Sequence, residues 1–448
     1  MTIYDFIDEG LGHSSYLIDN TDGSATLVDP PRFAGAQENL AARLGCRVAY
    51  TFDTHSHADY VTGSPALAAR LGATFVAPAA SELATPHLSM IDGDSVDIGD
   101  SLSMLALATP GHTPDHHAYL LKRSGAPIAL FSGGSLMVGA VGRTDLCGPD
   151  LAEPLARDMF RSLRRLDDLP DDLPVYPTHG AGSFCSAPGG SQRTTTLGNE
   201  RATNELFKIT DENRFVTRLL GGFGSFPTYF ARLPELNRLG PRRYDRVPEL
   251  APLEPDEVER HLATGGVVID VRQPAAFAAG HVPGSISNTL RPVFATWVGW
   301  LVEPGRPLAF VFGDEQDPDE VARQCLDVGQ ERLVGQLAGG VEAWAASGRP
   351  LDSIDLVGTA GMVGHLVDVR QRNEYAAGHV AGATNVELGS IGAATLPAGA
   401  LTIMCGHGER AMTAASLVRT KSRRALAVLD GGPDTWAAAT GAPLETGL

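Results

Sequence analysis

Short apolar runs separated by turn-forming residues recur through the first half of the chain. Tyr16-Leu17-Ile18 and Ala25 to Asp29 predict paired strands about the turn Asn20-Thr21-Asp22-Gly23. Val48 to Phe52, Thr74 to Ala77, Leu102 to Leu107 and residues 128 to 132 read as further strands, and Val175 to Gly180 closes the set. Helices are predicted over Pro65 to Leu71, with proline near its first position, and over Leu151 to Leu166. Strands alternating with helices imply an α/β layered fold over residues 1–240. A stretch rich in proline and arginine breaks the pattern, and residues 241–255 read as a linker.

Beyond it the chain repeats itself. Val268-Ile269-Asp270-Val271-Arg272-Gln273 returns as Leu366-Val367-Asp368-Val369-Arg370-Gln371, and Gly280-His281-Val282-Pro283-Gly284 as Gly378-His379-Val380-Ala381-Gly382. Gly339-Gly340 with Trp344 returns as Gly431-Gly432 with Trp436. Blocks matched in one order mean two copies of one domain, 256–352 and 353–448, each expected to be a small parallel α/β sheet.

A chain of 448 residues with 43% hydrophobic content suits two or three separate cores. The formal charge of −18 argues against nucleic acid and anionic membranes as partners. No apolar run approaches the roughly 20 residues of a membrane span, and the start has no signal-peptide pattern. Five scattered cysteines suit a reducing compartment, so a cytoplasmic protein is expected, and a homo-oligomer.

The chemistry of the first half centres on Thr54-His55-Ser56-His57-Ala58-Asp59-Tyr60, just after a predicted strand. Alternation aims His55 and His57 the same way, and neutral imidazole with carboxylate suits zinc or non-haem iron. His112 in Thr109-Pro110-Gly111-His112-Thr113, and His179 before Gly180, stand at later strand ends. Singly, each histidine reads as solvated or core-satisfied. Together, His55, His57, Asp59, His112 and His179 read as a metal site. Asp115 and His116 either orient His112 or lie on a surface turn. Asp145 is expected to make a structural bond to backbone. Cys185 reads first as a small buried thiol, and otherwise as a thiol forming a mixed disulfide or persulfide near the site.

The second centre is Cys405. The apolar strand Leu401 to Met404 runs into Cys405-Gly406-His407-Gly408-Glu409-Arg410 and then into an alanine-rich helix. Backbone N–H groups and the positive end of a helix dipole favour an anionic sulfur there, and Arg410 adds a fixed charge. Cys405 is therefore the candidate nucleophile, cradled by Gly406, His407, Gly408 and Glu409.

His55-Ser56-His57-Ala58-Asp59, Pro110-Gly111-His112-Thr113 and His179-Gly180 resemble the metallo-β-lactamase superfamily. With Gly142-Arg143-Thr144-Asp145-Leu146 they are similar to its persulfide dioxygenase branch and the glyoxalase II relatives. The resemblance implies an αββα sandwich. In the dioxygenases one Fe(II) is held by two histidines and an aspartate, and the histidines would be His55 and His112. Two departures follow. Tyr60 replaces a family histidine, which disfavours a second metal. Ser132-Gly133-Gly134-Ser135 puts Gly134 where the family has its metal carboxylate. The site then holds metal through His55, His57 and His112, or recruits Asp59 or a nearby acid, or is metal-depleted. Fe(II) is the cofactor the resemblance implies, with Zn(II) the alternative.

The Cys405 loop, with Asp368-Val369-Arg370 and Gly378-His379-Val380, resembles the rhodanese sulfurtransferases, in which the loop cysteine becomes a persulfide. In the middle copy Phe312 aligns with Cys405 and the following loop, Gly313 to Asp317, is acidic. That copy reads as an inactive pseudo-rhodanese, with Cys325 in its core. The domain order is similar to fused persulfide dioxygenase–sulfurtransferases of bacterial sulfide detoxification. It implies a low-molecular-weight thiol persulfide, O2, sulfite and thiosulfate as reaction partners. Two alternatives stand beside it: a glyoxalase II-like zinc thioester hydrolase fused to a sulfurtransferase, and a degenerate metal domain serving as scaffold.

Overall fold

Alternating side chains along each strand of the first unit feed two different cores. In the computed structural model, which describes residues 1–180, 183–185 and 192–448, Tyr16 and Ile18 face one cluster and Leu17 between them faces another. Leu102, Met104 and Ala106 likewise face the first cluster, while Leu105 and Leu107 face a third. This is the period-two geometry of a strand buried on both faces.

Two six-stranded sheets result. The first runs Ile3–Asp8, His13–Asp19, Ser24–Val28, Arg47–Phe52, Thr74–Pro78, Leu88–Met90. The second runs Thr195–Thr196, Pro174–Pro177, Ala126–Gly133, His117–Arg123, Leu102–Ala108, Ser95–Gly99. Tyr16, Phe52, Tyr119 and Phe131 fill the space between the sheets. Helices Gly35–Arg43 and Ser64–Leu71 supply residues to the outer core of the first sheet. Pro149–Arg164 and Glu212–Leu220 cover the second. The architecture is an αββα sandwich, and the histidine-bearing segments leave it where strands end.

Contacts divide the chain into one unit of Met1–Val247 with Leu326–Gly329 and another of Pro248–Cys325 with Gln330–Leu448. The second unit holds two sheets of one topology. Their orders are Pro252–Leu253, Leu333–Leu337, Leu308–Val311, Val267–Asp270, Ile286–Ser287, and Asp355–Val357, Leu426–Leu429, Leu401–Met404, His365–Asp368, Thr384–Asn385. All the pairings are parallel. The stretch expected to be linker is partly structural: Pro252–Leu253 pairs with Gln336–Leu337 as an edge strand, where proline's missing N–H is tolerated.

The repeated sequence blocks have a structural explanation. Arg272 grips Asp270 and the Gly280 carbonyl, and Arg370 grips Asp368 and the Gly378 carbonyl in the same way. His281 stacks on Phe277 and His379 on Tyr375, both at 3.8 Å. These shared residues hold the frame of each copy. Among the described residues no helix is long and apolar enough to cross a membrane.

Candidate active sites

The turn after Arg47–Phe52 is organised by Asp29, which ends the neighbouring strand with φ of 50°. Its carboxylate accepts from the Thr54 amide at 2.7 Å, the Thr54 hydroxyl at 2.8 Å, His57 Nε2 at 3.1 Å and the Thr178 hydroxyl. These bonds fix two tautomers. Because the Thr54 hydroxyl donates to Asp29, it accepts from His55 Nδ1 at 2.8 Å, which leaves His55 Nε2 as a lone pair facing the cluster. His57 spends Nε2 on Asp29, and its buried Nδ1 has no partner.

His112 is oriented from the other side. Its Nδ1 donates to the Arg143 carbonyl at 2.8 Å, and its fully buried Nε2 has no partner. His179 Nε2 lies 3.4 Å from His55 Nε2, and its Nδ1 is 3.3 Å from Asp59 Oδ2 without hydrogen-bond geometry. Both Asp59 oxygens are buried and neither accepts a hydrogen bond. The structure thus brings His55, His57, Asp59, His112 and His179 into one buried cluster. His55, His57 and His179 offer donor atoms within 4.8 Å of one another.

Buried polar atoms without partners are expensive, and a cation relieves several of them at once. Burial pushes His55 well below its ordinary value and His112 down to about 3, so both are neutral donors. Burial acts in the same direction on His57, but Asp29 outweighs it and raises that imidazole. A proton on His57 is therefore favoured. The donor set fits a transition metal.

Gly134 stands against the His112 ring, and the space a side chain would need is filled. A Cβ there would lie 2.3 Å from His112 Cδ2. Tyr60 is buried beside His57 at 4.4 Å, its hydroxyl on the Asp29 carbonyl, and supplies no nitrogen.

Several smaller expectations change. Asp115 and His116 are buried, not surface residues, and neither bonds to His112. Asp115 accepts from the Ser56 amide and hydroxyl, so it pins the residue between the two histidines of the turn. His116 Nε2 accepts from the Gly134 amide. The Asp145 side chain pairs with the Arg143 guanidinium rather than with backbone. Cys185 is fully buried, as a core thiol is, yet its sulfur falls within 4.8 Å of donor nitrogens of His112 and His179. Sequence reading missed Asp29 as an organiser. Its only signal is an acid closing an apolar strand.

At the second centre Cys405 follows strand Leu401–Met404 and precedes helix Glu409–Lys421, with Sγ accepting the Gly408 N–H at 3.1 Å. Cys405 is 1% exposed. Gly432 packs against this loop so tightly that a Cβ would lie 2.4 Å from the Gly406 carbonyl, which explains the Gly431-Gly432 pair. His407 is exposed and Gly406 half-buried. Arg410 is committed to Glu374, with both end nitrogens at 2.7 Å from its oxygens. Arg291, from the preceding copy, lies within electrostatic reach of Cys405, Glu409 and Arg410, and Ser287 near it donates its amide to Ser416 of the helix at 3.0 Å. In the middle copy Phe312 follows the equivalent strand Leu308–Val311, and Cys325 is buried in helix Pro318–Asp327.

Residues 8–179 match the metallo-beta-lactamase superfamily, and residues 254–347 and 354–439 each match the rhodanese-like domain. The chain is 30% identical over 219 residues to a hydroxyacylglutathione hydrolase of Methylobacterium sp. (strain 4-46), covering 43% of this chain and 81% of that protein. It is 29% identical over 198 residues to human mitochondrial persulfide dioxygenase ETHE1, covering 44% and 74%. A crystal structure of a metallo-beta-lactamase from Staphylococcus aureus superposes with a TM-score of 0.66 at 27% identity, over 75% of this chain and 98% of that one.

Proposed function

We propose, because this chain belongs to the metallo-beta-lactamase superfamily and carries two rhodanese-like domains, a two-centre sulfur enzyme. It oxidises a low-molecular-weight thiol persulfide at the histidine cluster and transfers sulfane sulfur at Cys405. The observation that carries the reading is the buried Cys405 sulfur, held by the Gly408 amide at the start of a 13-residue helix.

In the transfer half-reaction Cys405 Sγ attacks the outer sulfur of thiosulfate. The S–S bond breaks, its electron pair leaves with sulfite, and Cys405 carries a persulfide. A thiolate or cyanide then takes the terminal sulfur and returns Cys405 to its starting state. The Gly408 N–H stabilises the anionic sulfur, and the charges of Arg410 and Arg291 favour an anionic donor. The acidic loop Gly313–Asp317 of the middle copy would repel such a donor, and Phe312 offers no nucleophile.

At the first centre the net reaction is thiol persulfide, O2 and water giving thiol, sulfite and two protons. The imidazoles of His55, His57, His112 and His179 would hold the metal, with Asp59 beside them, and iron, when bound, supplies the O2 chemistry. Asp29 and the Arg143 carbonyl keep the imidazoles in their binding tautomers, and the sandwich core keeps bulk water out. Tethering two centres on one chain raises the local concentration of sulfur intermediates.

The test is oxygen uptake by iron-loaded protein with glutathione persulfide or coenzyme A persulfide, alongside thiosulfate:cyanide transfer. Uptake with sulfite formation is expected. Absence of uptake with intact transfer would leave only the Cys405 half. A thioester-hydrolase reading rests on the similarity to hydroxyacylglutathione hydrolase, and turnover of S-lactoylglutathione by zinc-loaded protein would favour it.

A further inference from the structure

We propose that Cys185 is a metal ligand of the first unit, its thiolate supplying the negative charge that Gly134 cannot. This rests on the reading that the unit holds a metal. Three observations carry it. Donor atoms of Cys185, His112 and His179 lie within 4.8 Å of one another, and all three side chains are buried. Ligands at 2.0–2.3 Å from a tetrahedral ion sit about 3.3–3.8 Å apart, so a small contraction closes this group around an ion.

The second observation is the orphaned His112 Nε2, buried without a hydrogen-bond partner. The third is a shared clamp at Arg143. Its carbonyl accepts from His112 Nδ1 at 2.8 Å while its amide donates to the Cys185 carbonyl at 2.9 Å. The same residue's guanidinium reaches the Phe184 carbonyl at 3.1 Å and lies 4.3 Å over the Phe226 ring. One residue therefore fixes both the imidazole and the segment that carries the thiol, which is how outer partners orient metal ligands. A carboxylate at position 134 has no room beside His112, so that position supplies no anion to the group.

On ligation the Sγ–H bond breaks, the proton leaves to solvent and a sulfur–metal bond forms. The resulting nitrogen-and-sulfur set takes a divalent first-row transition metal and is softer than a two-histidine, one-carboxylate triad.

Cobalt(II) titrated into the full-length, metal-free protein reads this directly. Bound cobalt gives visible ligand-field bands with any donor set, but a near-ultraviolet sulfur-to-cobalt charge-transfer band only with thiolate. The expected result is both, in stoichiometric proportion, with the charge-transfer band lost in Cys185→Ser and kept in Cys405→Ser and Cys147→Ser. X-ray absorption of zinc-loaded Cys405→Ser protein should show a sulfur scatterer in the first shell, a readout that needs no change at residue 185. Ligand-field bands without a thiolate band, or a band that survives Cys185→Ser, would overturn the assignment while the metal reading stands. Failure to bind cobalt would overturn both.

Discussion

Both terminal nitrogens of the Arg410 guanidinium rest on the Glu374 carboxylate, at 2.7 Å each. Arg410 sits in the first turn after the Cys405 loop, and Glu374 in helix Arg372–Ala377. Burial pushes the Glu374 carboxyl up, but Arg410 outweighs it and holds it below the usual range. The pair orients the cation beside the sulfur instead of leaving it mobile. Glu374→Gln keeps the shape and loses the charge. Its kcat/KM for thiosulfate is expected to fall about tenfold, the equivalent of about 1.4 kcal/mol. Steady-state thiosulfate:cyanide kinetics check this, and an unchanged value would mean Arg410 does not act through that geometry.

Restoring the family carboxylate should fail. In Gly134→Asp the new Cβ meets His112 Cδ2 at 2.3 Å, so the ring must move off the Arg143 carbonyl. A loss of about 1–3 kcal/mol in stability is expected, as for overpacking elsewhere. Thermal unfolding and metal content measure it, and tighter metal binding without destabilisation would contradict the packing argument.

Asp29→Asn removes the charge that holds His57 Nε2 and, through Thr54, His55. Metal affinity is expected to drop roughly 10- to 100-fold. Competition with a chelator of known affinity gives the number, while sulfur transfer at Cys405 should be unaffected.

The second unit has its own pH dependence. Burial lowers His281 below its ordinary value, and its ring stacks on Phe277. In the unfolded chain the imidazole takes a proton near pH 6.5, where the folded state does not. Stability from this group is therefore present above that pH and lost as pH falls through it. His281→Asn should unfold at temperatures that change less between pH 7.5 and pH 5.5 than those of the wild type, which differential scanning calorimetry resolves.

Much of this is legible in the sequence. His55, His57 and His112 announced themselves because strand ends repeat a residue type that metals need. The Cys405 loop did so because strand, glycine and helix follow one another without a gap. The repeat gave away two copies, since Arg272 and Arg370 make the same bonds in each. Other parts were hidden. Strand His117–Arg123 is masked by the histidines at its start. Pro252–Leu253 looked like linker because two residues carry no periodicity. Asp29 and Glu374 act through partners 28 and 36 residues away, and Arg291 acts across two copies, so spacing along the chain is silent about them.

Peptide mass spectrometry after incubation with thiosulfate tests the central claim most directly. The peptide bearing Cys405 should gain the mass of one sulfur atom and lose it on adding cyanide, and Cys405→Ser should abolish both the adduct and the transfer. Sulfane-sulfur exchange that persists in Cys405→Ser, or an adduct on another cysteine alone, would contradict the account.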